Sequence, residues 1–187
     1  MEEVGVGVRR FNLNWHYPKQ MGDKLKAAAK ASLSVKLLDS ERVLVTGKFG
    51  EVAEVRVGRV EEGANLAIRP YSHQDEDGPY WLWPDSRHYK EIYHIVAHGQ
   101  RLYLLSIDHN LSVWLAHPQP KYLYSHKFLT AAVGGFLPVP HDPHTLMALL
   151  KDSVLRSWEW EEGGRQLNEY WKFSKKYRVV KAVCHPT

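Results

Sequence analysis

In this sequence, the residues whose spacing most resembles that of a metal or catalytic site are two pairs of histidines. The chain has eleven histidines, among them the pairs His94/His98 and His141/His144. A catalytic zinc ion needs about three protein ligands and an open fourth position. His141 and His144 flank Asp142-Pro143, a turn sequence in which polar residues are expected for conformational reasons alone. We therefore expect these histidines to be structural or solvent-facing, and we predict no metal site.

The other residues that could do chemistry also favour a non-catalytic protein. Asp75-Glu76-Asp77 is a carboxylate cluster in a polar segment that we expect to be solvated. Paired carboxylates act as acid and base only where burial separates their pKa values. Cys184 lies in a predicted strand, where a cysteine is expected to be a small buried side chain. No Gly-x-Ser-x-Gly, P-loop or dinucleotide-binding signature occurs. The sequence thus predicts no enzyme activity, no catalytic residue and no cofactor.

A short aromatic island, Tyr80-Trp81-Leu82-Trp83, interrupts a polar segment rich in proline and glycine. Exposed tyrosine and tryptophan side chains are common anchors of protein interfaces. We predict that Tyr80, Trp81 and Trp83 contact a protein partner. The alternative is that these rings form a plug over one end of the domain.

A second aromatic segment, residues 170–178, interleaves aromatic rings with cations. Rings stack on bases and cations neutralise phosphates, so this pattern is compatible with nucleic-acid binding. The residues that would do so are Trp171, Lys172, Lys175, Lys176 and Arg178. The interpretation that we prefer is an amphipathic strand and turn, with its aromatic side chains inward and its lysines in water.

A repeated strand–turn–strand pattern indicates the elements that position these residues. It occurs at Val43–Val57, Leu102–Trp114 and Leu146–Trp158, each time as an apolar strand, a short polar turn and an alternating strand. Trp114 and Trp158 lie 44 positions apart, within the period of about 40–45 residues that is typical of β-propeller blades. Such hairpins also occur in antiparallel sandwiches and barrels, which are the alternative fold.

These segments resemble WD repeats. Leu104–Trp114 is similar to the second strand, turn and third strand of a repeat, and Thr130–Pro140 to a first strand leading into a second. Val180–Pro186 is similar to the opening strand of a further repeat. The resemblance covers about residues 33–60 and 91–186 and implies a WD-type propeller that acts as a protein-interaction scaffold.

The sequence also departs from the WD pattern. It has no Gly-His opening in the expected place and no Trp-Asp dipeptide. These departures weaken the expectation that the Asp–His–Ser–Trp hydrogen-bond network of well-formed repeats is present. A narrower likeness links Ser157–Arg165 to a late blade of mammalian F-box/WD-repeat proteins, although the sequence contains no F-box. That likeness implies recruitment of substrates to a ubiquitin ligase.

The predicted organisation is an all-β, partial propeller of about three blades behind a short N-terminal helix. Residues 1–32 form an N-terminal extension in which residues 23–32 are the helix, because alanine and lysine are strong helix formers. Residues 33–187 form the blades, with an insertion loop at about 61–85. Closed propellers have four to eight blades, so we expect a partner or a missing segment to complete the ring.

Composition sets the remaining expectations. The net charge of +4 is compatible with nucleic acid or an acidic protein but requires neither. The single cysteine fits a reducing compartment, and no apolar run reaches the roughly 20 residues that cross a bilayer. We therefore expect a cytoplasmic or nuclear protein without a membrane segment, whose partners are other proteins.

Overall fold

The structure is a computed structural model that describes residues 10–17, 34–70, 77–116, 119–128, 132–139, 142–150, 154–159 and 165–172. From residue 132 to residue 172 the backbone is described, but only a few side chains are; these are Val139, Asp142, Thr145, Leu146, Met147, Ala148 and Ser157. The predicted N-terminal helix at 23–32 lies outside the described residues. The chain divides into two compact units, Met1–Pro84 and Asp85–Thr187. The predicted boundary after residue 32 stays a prediction.

The described elements are strands and one 3-10 turn, Val57–Arg59. In the first unit the strands are β1 (Asn12–Trp15), β2 (Ser34–Leu37), β3 (Arg42–Thr46), β4 (Val52–Arg56), β5 (Asn65–Ile68) and β6 (Tyr80–Leu82). In the second unit they are β7 (Ile92–His98), β8 (Arg101–Ser106), β9 (Asn110–Leu115), β10 (Lys121–Lys127), β11 (Ala132–Val139), β12 (Asp142–Leu150), β13 (Val154–Glu159) and β14 (Arg165–Lys172).

Three four-stranded antiparallel sheets hold most of these strands. Their strand orders are β2-β3-β4-β6, β7-β8-β9-β10 and β11-β12-β13-β14. The three predicted hairpins are the two central strands of each sheet, β3–β4, β8–β9 and β12–β13. Their apolar runs suit this place, because a central strand between two layers is buried on both faces. The prediction of an all-β fold with about three blade-like sheets is confirmed.

The predicted insertion at 61–85 is not a plain loop. Its residues 80–82 form β6, the fourth strand of the first sheet, which pairs with β4 through Val55↔Tyr80 and Ala53↔Leu82. Its residues 65–68 form β5, which pairs in parallel with β1 through Asn12↔Asn65 and Trp15↔Ile68. The flanking proline and glycine residues pointed to a loop, but pairing partners distant in sequence make strands of these short segments.

The first unit has a core between the four-stranded sheet and the β1–β5 pair. Val45, Ala53 and Val55 of the sheet are buried together with Val60 and Ile68. Phe11, Leu13 and Trp15 at β1 and Leu66 on β5 pack on this cluster, while Asn12 and Asn14 alternate towards the outside. This period of two makes the β1–β5 pair a second layer over one face of the sheet.

The second unit has a core between its two sheets. Tyr103, Leu105, Leu111 and Val113 lie on one face of the first of these sheets, because they are directly paired across the strands or lie two residues apart. They form one cluster with two residues of β12, which are Leu146 and Ala148. The hairpins β8–β9 and β12–β13 therefore belong to sheets that pack face to face, as successive blades do.

Candidate functional site: a hydrogen-bonded loop that exposes Tyr89

The loop that enters β7 and the turn that joins β8 to β9 lie at the same end of their sheet. The Ile107 backbone N–H donates to the carbonyl of Glu91 at 2.9 Å. The Asn110 side-chain amide donates to the carbonyl of Arg87 at 3.0 Å. These two bonds tie residues 85–91 to residues 107–110, which we call the loop end of the sheet.

A chain of five side chains runs beneath the loop end. His88 is buried, with Nδ1 3.0 Å from Ser106 Oγ and Nε2 2.7 Å from Ser112 Oγ. The Trp114 indole N–H donates to Ser112 Oγ at 2.8 Å, and the Ser106 hydroxyl donates to Asp108 Oδ1 at 2.6 Å. This is the Asp–His–Ser–Trp type of network that the missing Gly-His and Trp-Asp dipeptides argued against. That expectation was wrong for this sheet. The network requires only that the five side chains lie within hydrogen-bond distance of one another, and they do so here without either dipeptide.

The donors and acceptors of this network fix the tautomer of His88. The Ser106 hydroxyl has two hydrogen-bond partners, Asp108 Oδ1 and the Asn110 carbonyl, and both can only accept. Ser106 Oγ must therefore accept from His88 Nδ1–H. In the neutral ring, His88 Nε2 accepts from the Ser112 hydroxyl, whose oxygen accepts from the Trp114 indole N–H. Of the two neutral tautomers of His88, only the one protonated on Nδ1 is compatible with the hydrogen bond from Ser106 to Asp108.

Electrostatics favour the same state. Burial lowers the pKa of His88 to about 4, against the raising effect of Asp108 and Asp85. For Asp108, burial is the largest single effect and acts to raise the pKa. The lowering effects, led by the hydrogen bond from Ser106 and the Lys127 ammonium, together outweigh it, and the pKa lies below its ordinary value. At neutral pH the network thus joins a neutral imidazole to a carboxylate.

The loop end holds two residues in left-handed backbone conformations. Arg87 has φ of 61° and His109 has φ of 67°. A residue other than glycine loses roughly 1–2 kcal/mol in this region. Hydrogen bonds offset that loss: the Arg87 N–H donates to Asp85 Oδ1 at 2.8 Å, and the His109 carbonyl accepts from the Phe128 N–H at 2.9 Å.

The side chains at the loop end divide into a buried set and an exposed set. Tyr89 is 83% exposed and Ile107 is 50% exposed, next to the buried His88 and Ser106. The Arg87 guanidinium lies 4.9 Å from the centre of the Tyr122 ring. Tyr122 in turn makes an edge contact with Trp114, at 5.3 Å between ring centres. Fixed backbone therefore presents an aromatic and an aliphatic side chain to solvent.

The three residues predicted to contact a partner occupy a different kind of place. Trp83 is only 6% exposed, so its ring is buried, and its contact with a partner stays a prediction. Tyr80 packs against the core of the first unit, and its hydroxyl accepts from the Arg69 N–H at 3.0 Å. Trp81 is half-buried in β6, directly opposite Glu54. Strand formation places these rings in and beside the core.

The residues of the predicted nucleic-acid segment are described only in part. Trp171 and Lys172 are the last residues of β14, in line with the predicted strand, and their side chains are not described. Lys175, Lys176 and Arg178 lie outside the described residues. Nucleic-acid binding stays a prediction, and retention on immobilised nucleic acid that falls steeply with salt tests it.

Two further properties concern the described residues alone. Within the ranges given above, no three His, Cys, Asp or Glu side chains are grouped so that they could hold a metal ion. Across those same ranges, no helical segment has the length and apolar character that a membrane span requires.

Sequence reasoning missed His88 and Tyr89, which are central to the loop end. Both stand in Ser86-Arg87-His88-Tyr89, close before β7, which begins at Ile92. A histidine just before a first strand, with Ser106, Asp108 and Trp114 following in the next hairpin, was a detectable signal.

Comparison with known proteins supports the propeller fold. No protein-family model matches the sequence, and no curated protein matches it. Among solved structures, the chain is similar to the Cps50 (Swd1) β-propeller domain of Myceliophteria thermophila, with a TM-score of 0.50 and 12% identity over 78% of this chain and 45% of that chain. It is also similar to the N-terminal domain of Nup159, with a TM-score of 0.43 and 13% identity over 78% of this chain and 32% of that chain. The chain thus spans less than half the length of these structures, and its fold is of the β-propeller type.

Proposed function

We propose that this chain is a protein-interaction scaffold and that a partner binds at the loop end, on Tyr89 and Ile107. The observation that supports this most strongly is the exposure of Tyr89 beside a residue as buried as His88. An isolated surface tyrosine on a mobile loop would lose conformational freedom on binding. A tyrosine on a loop that is already fixed loses less, and preorganisation of this kind increases affinity.

The chemistry of the surface defines the partner that it fits. Tyr89 and Ile107 each expose an apolar side chain at the loop end, and the segment that carries Tyr89 also holds the exposed Asp85–Arg87 ion pair at 3.2 Å. An apolar centre with a polar rim is the usual anatomy of a protein interface. We expect a partner that offers an apolar pocket to the Tyr89 ring, with polar groups around that pocket.

The same geometry favours binding over catalysis. His88 is the obvious candidate for a catalytic base at the loop end, but both of its ring nitrogens are engaged by serine hydroxyls and it is buried. A general base must come within hydrogen-bond reach of a substrate proton. We therefore propose a non-enzymatic scaffold in the cytoplasm or nucleus.

A finer form of the proposal is recruitment of substrates to a ubiquitin ligase. It rests on the likeness of Ser157–Arg165 to late blades of F-box/WD-repeat proteins. If it is correct, proteins that co-purify with the chain through Tyr89 should accumulate ubiquitin chains when the proteasome is inhibited. Ubiquitination that does not depend on this chain would remove the finer proposal and leave the scaffold role standing.

The scaffold proposal is tested by comparing partner capture among matched variants. The full chain is compared with the double variant Tyr89→Ala/Ile107→Ser by quantitative co-purification from cells. The matched control is Tyr122→Phe, which removes only a hydroxyl that is bonded locally to Ser125. We expect at least one stoichiometric partner to fall about tenfold in the double variant and to be unchanged in the control. Equal recovery of every partner from all three proteins would contradict the proposal.

A further inference from the structure

The β1–β5 layer covers only part of the first sheet. Val35 and Leu37 of β2 are directly paired with Val45 and Val43 of β3, so all four side chains lie on the face that the layer covers. Val45 is buried and Val43 is half-buried, but Val35 is 56% exposed and Leu37 is 64% exposed. The uncovered part of the face is therefore the strand β2.

The position of the layer explains this exposure. On one side, β5 reaches β6, since the Arg69 N–H that follows β5 donates to the Tyr80 hydroxyl at 3.0 Å. On the other side, Leu13 of β1 lines a groove together with Val35 and Val43. A layer of two strands thus extends from β6 towards β3 and is one strand short of β2.

The edge of β1 beside this groove is able to pair. Asn12 and His16 direct their N–H groups to β5, at 2.8 Å from the Ala64 carbonyl and 2.7 Å from the Ile68 carbonyl. Backbone donors alternate along a strand, so the N–H groups of Leu13 and Trp15 point to the opposite edge. Among the described strands, only β5 pairs with β1. Such an edge is a template for an added strand.

The groove itself has the size and lining for an extended peptide. Its volume is about 420 Å³, its walls include Phe11, Leu13, Val35 and Val43, and exposed Arg10 lies at its rim. Exposed apolar residues two positions apart match the side-chain period of a strand. Arg10 is the charged residue of the lining. Its backbone N–H donates to the Glu62 carboxylate at 3.0 Å, and its side chain is the cation that an acidic group in the ligand would meet.

We propose that this groove binds an extended segment of a partner protein as a third strand beside β1. Its apolar side chains, at alternate positions, cover Val35 and Leu37, and a carboxylate lies beside Arg10. Addition of a strand to an open edge is an established mode of peptide recognition, in which the backbone supplies affinity and alternate side chains supply specificity.

The occupant has to be a free segment and not the same strand of a second copy. In each copy the apolar side chains of β1 already pack on its own sheet through Leu13 and Trp15. A second β1 would therefore bring its own sheet into the space above β2. This site is distinct from the loop end and does not depend on the proposed function.

Selection from a displayed library of random heptapeptides tests the proposal. The full chain is the target, and the variant Leu37→Asp is the counter-target. Because Leu37 is mostly exposed, this variant should retain the circular dichroism and melting temperature of the native chain. We expect enriched peptides with apolar residues at alternate positions and an Asp or Glu at one end. They should bind Leu37→Asp at least about tenfold more weakly than the native chain.

Two further variants make the test specific. Ala97→Asp, a matched change of an exposed aliphatic residue on β7, should bind the selected peptides as the native chain does. Arg10→Glu should reverse the preference from an acidic to a basic terminal residue. Peptides can be N-methylated either at their odd-numbered or at their even-numbered residues. Only one of these two patterns should abolish binding, because only one set of N–H groups faces β1.

Several results would overturn the proposal. One is the absence of enriched peptides, and another is peptides that bind Leu37→Asp as well as they bind the native chain. A third is a dimer in sedimentation analysis that Leu37→Asp dissociates, since this would assign the groove to a second copy. Protection of the Leu13 and Trp15 amides from hydrogen exchange without peptide would assign it to the chain itself.

Discussion

The hairpins β3–β4 and β8–β9 have the same register but are stabilised by different chemistry. In both hairpins five residues, 47–51 and 106–110, separate the innermost directly paired residues. Val45↔Ala53 therefore corresponds to Leu104↔Ser112, and Val43↔Val55 corresponds to Leu102↔Trp114. In the first hairpin this face is apolar, and the β1–β5 layer packs on it. In the second hairpin the same positions supply Ser112 and Trp114, which hold His88.

The turns of the two hairpins also differ, because the left-handed residue is a glycine in the first turn and a hydrogen-bonded histidine in the second. Gly50 has φ of 86°, and the corresponding residue in the second hairpin is His109, with φ of 67°. Glycine adopts this conformation at little cost, whereas His109 adopts it within the hydrogen bonds of the loop end. The same hairpin backbone is thus completed by an apolar layer in one sheet and by a polar network in the other. The polar network also holds the loop that exposes Tyr89.

Among the changes that should affect one hairpin and not the other, His88→Ala should cause the largest loss of stability. It leaves Ser106 and Ser112 without a shared partner and creates a cavity, so the β8–β9 hairpin should lose about 3 kcal/mol of stability. Hydrogen exchange of the amides of β8 and β9 measures this locally, and the amides of β3 and β4 should not change. Tyr89→Ala is the matched control, with a loss below about 0.5 kcal/mol. A loss below about 1 kcal/mol in His88→Ala would contradict the role of the network.

Acid should destabilise the β8–β9 hairpin more than the β3–β4 hairpin in the native chain. The folded-state pKa of His88, about 4, lies below its ordinary value of 6.5. A depressed histidine pKa stabilises the fold fully above pH 6.5, and this contribution is lost as the pH falls from 6.5 towards 4. The second unit should lose about 2 kcal/mol between pH 7.5 and pH 5. Hydrogen exchange at both pH values measures this loss, after correction for the intrinsic exchange rate.

The variant His88→Asn provides the control for the acid effect. Asparagine does not titrate in this range, so most of the pH dependence of β8 and β9 should disappear in the variant. An unchanged pH dependence would assign the effect to other groups, such as the carboxylates of the loop end.

A serine at the position of Ala53 in the β3–β4 hairpin should lower the stability of the protein, although the corresponding residue of the β8–β9 hairpin is Ser112. Ala53 is fully buried and corresponds to Ser112. The variant Ala53→Ser buries a hydroxyl among apolar side chains and should cost about 2 kcal/mol. Chemical denaturation of the native chain and the variant measures the difference. Ala67→Ser, at a half-buried position of β5, is the control and should cost below about 0.5 kcal/mol. Equal stability of Ala53→Ser and the native chain would show that this position of the hairpin tolerates a serine without the polar network.

The smallest of these effects should come from Trp114→Phe. The phenyl ring retains the edge contact with Tyr122, but the indole donor to Ser112 is lost. One neutral hydrogen bond contributes about 1 kcal/mol, so the loss should be of that size and confined to β8 and β9. Exchange of the same amides measures it. A loss as large as that of His88→Ala would mean that Trp114 acts mainly through packing.

Local patterns in the sequence predict the three hairpins, because alternation and turn residues within about 15 positions determine them. The pairing of Asn12 with Asn65 is different, since its partners lie far apart in sequence and each strand is short. Tyr80 to Leu82 was assigned to a loop because Pro79 and Pro84 flank it, and burial by distant partners decides otherwise. His88 was missed for the same reason: its partners Ser106 and Ser112 become neighbours only when the sheet forms.

The most direct test of the network is the tautomer of His88, measured from the nitrogen-15 chemical shifts of its imidazole ring by NMR. We expect a neutral ring protonated on Nδ1 at pH 7 that remains neutral as the solution is acidified to about pH 5. A ring protonated on Nε2, or one that titrates near pH 6.5, would show that His88 does not make the hydrogen bonds of this network.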